Sequence, residues 1–424
     1  MRREGPIRLQ PPRRGSGPAL AARRVSDTAV QASPAAPLPD VAPSDVGPLR
    51  VAFLIAGLGP GGAERQLLLL TSRLHARGWP VLVVSLGAGT ELEEAFRARG
   101  VEVVVPTGRP GRVPGPLTLL RAARLLRRWR PDVVQGFMFH ASLLARLFRL
   151  AVPRALNVTS IRTSGEHAGP RAWLYRLTDP LCDMVTHVSP AEARDFVARG
   201  VTRPRKAVWI PNGLEAGPAP TRVPGDGRPF RWVAVGRLEE AKDYPLLLDA
   251  FARVVAEVPA ELWIAGEGSL RPELEGRIAR LGLEGRVHLR GHVAPGEVLG
   301  GADGYVLSSR REGMPNALLE AAGAALPVVA TAVGAVPDMM ARLGNGRVVP
   351  SGDAAALAGA MIEVTRMDPA ERERLGARGR EAVVQGFAMD QVTDQWCALY
   401  HATRASRGGA AAGVSVSAGS LPAA

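Results

Sequence analysis

Two glutamates, Glu312 and Glu320, stand with seven residues between them in the stretch REGMPNALLEAAGAA. Pro315 reads as the first residue of a helix, where its missing N–H costs nothing. The helix then runs on through NALLEAAGAA. The N–H groups of Gly313, Met314, Asn316 and Ala317 would point out of its start, a ready site for anions and hydroxyls. Glu312 before the helix and Glu320 within it can reach two ends of one extended ligand. A single Glu at a helix start is explained by the macrodipole; the pair around a proline is not. Arg237 follows the apolar run FRWVAVG, and Lys242 comes five residues later. A guanidinium that forks two oxygens, beside an ammonium point charge, suits a diphosphate.

Other loops carry weaker signals. Glu267, Gly268 and Ser269 make a tight turn into a helix after AELWIAG, which ends on Gly266, and His292 and Val293 follow RVHLRG. Both places suit backbone contact with a flat base. Gly334, Pro337 and Asp338 mark a further loop, with Asp338 as a helix cap. In the first half, His140 falls at a helix start after PDVVQGF, either lining a site or capping the helix. Arg162 and Ser164 follow ALNVTSI at a strand end and are candidates for acceptor contact, with His167 a weaker one.

Gly57, Gly59 and Gly62 satisfy G-x-G-x-x-G after the run VAFLIA. That is the dinucleotide fingerprint in its expected setting. A dinucleotide enzyme also needs an acid at the end of the second strand to hold the ribose. Here WPVLVVSL runs into Gly87, Ala88 and Gly89, and the first acid is Glu91. The loop therefore argues for the fold and against the cofactor. Gly61 and Gly62 are assigned to the lip of a cleft, against a donor's phosphate or sugar or an incoming acceptor.

The elements that must position these residues are legible as alternation. Short Val- and Ile-rich runs (LRVAFLIA, WPVLVVSL, VEVVVP, PDVVQGF, ALNVTSIR, MVTHVS, KAVWIPN) are each followed by a helical pattern or a turn. Continuous rather than alternating apolar strands imply burial on both faces, hence parallel sheets between helices. The Pro- and Gly-rich stretch 215–229 reads as a linker, after which the alternation restarts. The fold class is thus α/β: two doubly wound Rossmann-like domains, 49–214 and 230–388, facing across a cleft. A helix at 389–405 is placed to cross back to the first domain. Residues 1–48 read as a disordered leader and 406–424 as a disordered tail.

Two cysteines, no apolar run long enough to span a bilayer, and no signal-peptide core point to a cytoplasmic chain. The net charge of +13 is uneven. Residues 107–154 hold ten arginines against one acid, Asp132. This is either a solvated face or a patch for an anionic membrane surface or a phosphate-bearing substrate. Nucleic acid is not expected, because no aromatic interleaving or zinc pattern accompanies the arginines.

The set VGRLEEAKDYPLLLDAF, WIAGEGS, EGMPNALLEA and IPNG resembles the retaining glycosyltransferases of family 4, of the GT-B fold, from about residue 49 to 403. The resemblance implies transfer of a hexosyl group from a UDP- or GDP-linked donor to a glycan or lipid-linked acceptor, in cell-surface polysaccharide or glycolipid synthesis. No cofactor and no metal are implied, and no D-x-D carboxylate pair is present. Arg237 and Lys242 would hold the donor diphosphate, Glu312 would lie beside the donor sugar, and Glu320 would bind the ribose. Many relatives carry a His where this chain has Phe137, with His140 three residues on. Other readings are a nucleotide-sugar epimerase, a phosphorylase (disfavoured because Lys206 and Lys242 are the sole lysines), or a two-lobed sugar-binding protein.

Overall fold

The structure is a computed structural model that describes residues 47–87, 92–106, 115–165, 168–215, 217 and 227–407. The expected leader up to residue 46, the tail from 408, most of the linker, Glu91, Arg109, Arg112 and His167 lie outside the described residues.

The first half begins with β1 (Val51–Ile55), α1 (Gly62–Ala76), β2 (Val81–Ser85), α2 (Glu93–Ala98), β3 (Glu102–Val104) and α3 (Pro116–Trp129). It continues with β4 (Val133–Phe137), α4 (Met138–Phe148), β5 (Leu156–Ser160), α5 (Gly169–Thr178), β6 (Met184–His187), α6 (Pro190–Ala198) and β7 (Ala207–Trp209). The seven strands form one parallel sheet in the order β3-β2-β1-β4-β5-β6-β7. β1, β2, β4, β5 and β6 are buried along their whole length, so β1 and β2 read as nearly continuous apolar runs, while buried Gln135, Asn157 and Thr186 interrupt β4, β5 and β6.

The second half repeats the plan. It opens with β8 (Phe230–Val235), α7 (Tyr244–Glu257), β9 (Ala260–Ala265), α8 (Arg271–Arg280), β10 (Val287–Gly291) and α9 (Pro295–Gly300). Then come β11 (Gly304–Leu307), α10 (Asn316–Gly323), β12 (Val328–Thr331), α11 (Val336–Leu343) and β13 (Gly346–Val349). Their order is β10-β9-β8-β11-β12-β13, again all parallel. In each sheet the strand order reverses around its first strand, so β1 and β8 both end at a switch point, where such sheets bind ligands.

Three helices close the described chain: α12 (Ala354–Arg366), α13 (Pro369–Gly386) and α14 (Met389–Arg407). The last does not stay with the second sheet. Its Trp396, Cys397, Leu399 and Tyr400 join Phe53, Leu67 and Leu70 in the first domain's core. The Tyr400 hydroxyl donates to Gln135 of β4, and Arg77 of the turn after α1 pairs with Asp394 at 2.6 Å. The chain thus passes between the domains twice, side by side. Leu214 N donates to Phe387 O at 2.8 Å, and Met389 N donates to Leu214 O at 2.9 Å.

Cys182 and Cys397 are both free and buried. Burial, as the chief cause, pushes the Cys397 thiol up to about 11. At pH 8 about one thiol in a thousand would be the reactive thiolate. Iodoacetamide should label native Cys397 slowly, and Trp396→Ala, which opens the seat of α14, should speed that labelling before global unfolding. Fast labelling of the native chain would contradict this docking.

Candidate active site

The site is built where β8 and β11 end. After β8 a short turn carries Lys242 and closes on Asp243, a non-glycine residue with φ of 50°. Several bonds staple this turn to the loop after β11. Arg310 Nε donates to Asp243 Oδ2 at 2.6 Å, Arg310 N donates to Ala241 O at 2.9 Å, and Ser308 Oγ donates to Lys242 O at 2.8 Å. Tyr244 Oη donates to Gly236 O at 3.0 Å and ties the end of β8 to α7. Burial, and then the nearby Glu312 carboxylate, push the Tyr244 hydroxyl pKa up, so it remains a donor.

Within this frame Lys242 Nζ lies 2.6 Å from Glu312 Oε1, and Ser309 Oγ donates to the same oxygen at 2.7 Å. Both members of the ion pair are mostly enclosed. Arg237, expected beside Lys242, instead extends into solvent with its side chain 72% exposed and pairs with Glu239 at 2.9 Å. Its charge still reaches across the cleft to Glu64 on α1, whose carboxyl pKa is raised by burial and pulled back in part by Arg237.

The loop holding Glu312 is enclosed from both domains. A Cβ on Gly313 would lie 2.1 Å from Arg162 O, and one on Gly334 (φ 51°) would lie 1.9 Å from Glu312 O. Ser164 Oγ donates to Glu312 O, and Ala335 N donates to Gly313 O at 2.8 Å. Arg162 and Ser164, read from sequence as acceptor contacts, therefore touch the opposite domain's loop at Glu312 and Gly313. The Arg162 guanidinium rests 4.9 Å from the Phe137 ring and 5.6 Å from the Trp396 ring, and donates to Asn212 Oδ1 at 2.8 Å. Burial pulls its pKa down to about 10.

Four details depart from the sequence reading. Pro315 is extended (ψ 113°) and precedes the helix, which starts at Asn316. The same helix stops at Gly323, two residues before Ala325 turns left-handed at φ 54°. Asp338 does not cap α11, which starts from Ala335. Its Oδ2 instead accepts from Ala191 N of α6 at 3.5 Å. His140 is exposed on the first turn of α4 and does not cap it. Phe137, in the position where relatives carry histidine, is core, edge-on to Phe53 at 5.9 Å.

Asn316, first residue of α10, joins the domains. Its Oδ1 accepts from Asn212 Nδ2 at 2.8 Å and from Gln66 Nε2 at 3.3 Å, while its Nδ2 donates to Gly62 O at 3.0 Å. Gln66 also exchanges two hydrogen bonds with Gly213, at 2.8 and 2.9 Å. The opening glycine loop thus meets the second domain at the start of α10, and Met314 O accepts from Asn212 at 3.0 Å. Glu320 is paired with Arg65 of α1 at 3.2 Å; burial raises its carboxyl pKa and Arg65 lowers it. Arg65, Gln66, Asn316 and Glu320 line a cavity of about 90 Å³ between the domains.

Sequence reasoning missed Arg65, Gln66, Asn212 and Ser309. The one available signal was Gln66, a polar residue on the buried face of an otherwise leucine-rich helix. Around the rim, Glu267 pairs with Arg271 at 2.6 Å and Gly266 N donates to Gly291 O at 2.8 Å, tying the ends of β9 and β10 together. His292 is exposed just beyond, Val293 is partly buried, and Ala317 packs at the start of α10. Among the described residues no group of three His, Cys, Asp or Glu could hold a metal ion.

Gly313→Ala should force the two domains apart at Arg162, because overpacked contacts of this kind cost about 1–3 kcal/mol. Activity should fall while the circular dichroism spectrum stays unchanged. Full activity would mean that this contact is not part of the working enzyme.

Comparison with known proteins agrees in both halves. Residues 60–216 match the model for Glycosyltransferase Family 4, and residues 229–366 match that for glycosyl transferases group 1. The chain is 29% identical over 348 residues to the lipopolysaccharide core biosynthesis glycosyltransferase LpsD of Rhizobium meliloti, covering 80% of this chain and 95% of that one. It is 28% identical over 350 residues to LpsE of the same organism, with the same coverage of each. Among solved structures, Anabaena HepE, determined with UDP-glucose, superposes with a TM-score of 0.70 at 21% identity, over 82% of this chain and 98% of that one. Two matched family models in the right order, on two facing parallel sheets, establish that the chain belongs to the family 4, group 1 glycosyltransferases and has the GT-B fold.

Proposed function

We propose that this glycosyltransferase takes a hexosyl group from a UDP- or GDP-linked donor and passes it, with retention and without a metal, to a glycan or lipid-linked acceptor of a surface polysaccharide or glycolipid. The names of LpsD and LpsE support the acceptor class, and the UDP-glucose bound to HepE supports the donor class. The observation that carries the reading is the Lys242–Glu312 pair, held by Ser309 at the carboxyl edge of the second sheet beside the start of α10.

A glycosyl donor breaks its anomeric bond through an oxocarbenium-like transition state, with negative charge growing on the departing diphosphate. Lys242 is placed to receive that charge, with Arg237 swinging in from its exposed position to add a second cation. The free N–H groups at the start of α10 would supply neutral donors to phosphate or sugar. Glu312, fixed on Oε1 by Lys242 and Ser309, keeps Oε2 for the sugar. Glu320 would accept from the ribose hydroxyls once Arg65 yields, and Gly61 and Gly62 would form the opposing lip. His140, exposed at the start of α4, is offered to the donor sugar, and Gly266, Glu267, His292 and Val293 to the base.

Glu312→Ala and Lys242→Ala should each lower nucleotide release from the working donor by about 10²–10³-fold, the usual loss for one charge-stabilising group, with the fold retained. Normal turnover in both would sink the assignment. Chelation with EDTA should leave turnover unchanged, because two side-chain cations do the work of a divalent ion; a chelator-sensitive rate restored by magnesium would contradict it. The anomeric configuration of the product, read by proton NMR, should match that of the donor.

A further inference from the structure

Six of the nine large apolar side chains exposed among the described residues lie on three neighbouring helices of the first domain. They are Leu117 and Leu120 on α3, Leu147 on α4 with Leu150 just beyond it, and Trp173 and Leu177 on α5. Leu150 is 76% exposed and Trp173 60%. Burying such groups is the normal outcome for a helix of a globular protein, so a cluster left in water needs a reason.

The three helices stand side by side. Ala122 and Leu126 of α3 share a core with Ala141 and Ala145 of α4, and Arg127 Nε donates to Ala151 O at 3.1 Å. Phe139 of α4 meets Tyr175 of α5 with ring centres 5.3 Å apart, and the buried Arg146 donates to Tyr175 O at 2.7 Å. Those inward contacts fix which faces point out. On α3 the outward face is Leu117, Leu120, Arg121, Arg124 and Arg128, at helical spacing opposite Thr118, Ala122 and Leu126. On α5 it is Trp173 and Leu177, one turn apart, opposite Ala172 and Tyr175.

The charge on this surface has one sign. None of the three helices contains an aspartate or a glutamate. Arg121, Arg124, Arg127 and Arg128 on α3 and Arg171 and Arg176 on α5 are all exposed. Apolar side chains interleaved with arginines, and no acids, match the interfacial zone of an anionic bilayer, where leucine and tryptophan sink below the headgroups and arginine meets the phosphates. A solvated helix face would carry the arginines without the exposed leucines and tryptophan. No described helix is long and apolar enough to cross a membrane, so any attachment by these residues is through a surface.

We infer that the outer face of α3, α4 and α5 docks on an anionic lipid surface, with Leu117, Leu120, Leu147, Leu150, Trp173 and Leu177 as the inserting side chains. The inference stands apart from the donor chemistry, since none of these residues belongs to the cleft. It extends the basic patch expected from sequence onto α5, which lies outside residues 107–154.

The test is cosedimentation of the full chain with vesicles of phosphatidylglycerol in phosphatidylcholine, and with phosphatidylcholine alone. The wild-type protein should pellet with the anionic vesicles only, and less so as salt shortens the range of the field. Two variant sets separate the contributions: Leu147→Ser with Trp173→Ala, and Arg121→Gln with Arg124→Gln and Arg128→Gln. Each should lower the bound fraction about tenfold, while donor hydrolysis in vesicle-free solution stays at the wild-type rate. Equal binding to neutral vesicles, or undiminished binding by both variant sets, would overturn the inference. So would a dimer in gel filtration that the Leu147 and Trp173 variant dissolves, because the face would then belong to a second copy of the chain.

Discussion

The position of one carboxylate oxygen organises the site. Glu312 Oε1 receives the Lys242 ammonium at 2.6 Å and the Ser309 hydroxyl at 2.7 Å, in a setting where each partner is largely withdrawn from water. A mostly enclosed ion pair is costly unless its hydrogen bonds are complete. The surrounding polar groups meet that need. Asp243, left-handed and almost fully buried, anchors Arg310, so the lysine's turn and the glutamate's loop move as one piece. The remaining Glu312 oxygen is then presented with little freedom, which is what a group acting on a developing cation requires.

The second constraint is that this loop is held by the other domain as well. Gly313 has room for no side chain because Arg162 O lies against it, and Gly334 presses from the opposite side. Asn212, Asn316 and Gln66 then stitch the linker's start, the helix start and α1 into one network of neutral hydrogen bonds. Neutral bonds of this kind are worth about 1 kcal/mol each, strong enough together to favour a closed cleft and weak enough to release. The Arg65–Glu320 pair adds a charged link at the same seam. Meanwhile α14 returns to the first domain and runs the polypeptide between the domains a second time, so two adjacent, hydrogen-bonded crossings of the chain join them.

Much of this was legible in the residues because the signals were local. Buried parallel strands announce themselves as short runs rich in Val and Ile, and the seven runs read as strands in the first half all form strands. The glycine loop before α1 marked a doubly wound fold, which the parallel sheet order bears out. Glu312 and Lys242 were found because each follows a strand end. What the sequence could not reveal depends on approach from afar. Arg65, Gln66 and Asn212 have their roles only when the domains meet, and no spacing encodes that; Ser309 bonds Glu312 within one loop, through a turn that residue type alone does not reveal. Arg237 and Lys242 looked like a matched pair from their separation, yet the turn at Asp243 sends Lys242 to Glu312 and leaves Arg237 outside. Pro315 was placed one residue too far into its helix because proline favours both the first helical position and the extended residue before it.

In the proposed function the donor's diphosphate lies between Lys242, Arg237 and the start of α10. A crystal structure of the chain with its nucleotide diphosphate product tests this most directly. Phosphate oxygens should lie within hydrogen-bond reach of Lys242 Nζ and the Arg237 guanidinium, with the ribose at Glu320 and Arg65 displaced from it. A nucleotide cradled solely by the loop at Gly59, Gly61 and Gly62, with the Lys242–Glu312 pair and the Arg65–Glu320 pair both untouched, would contradict it.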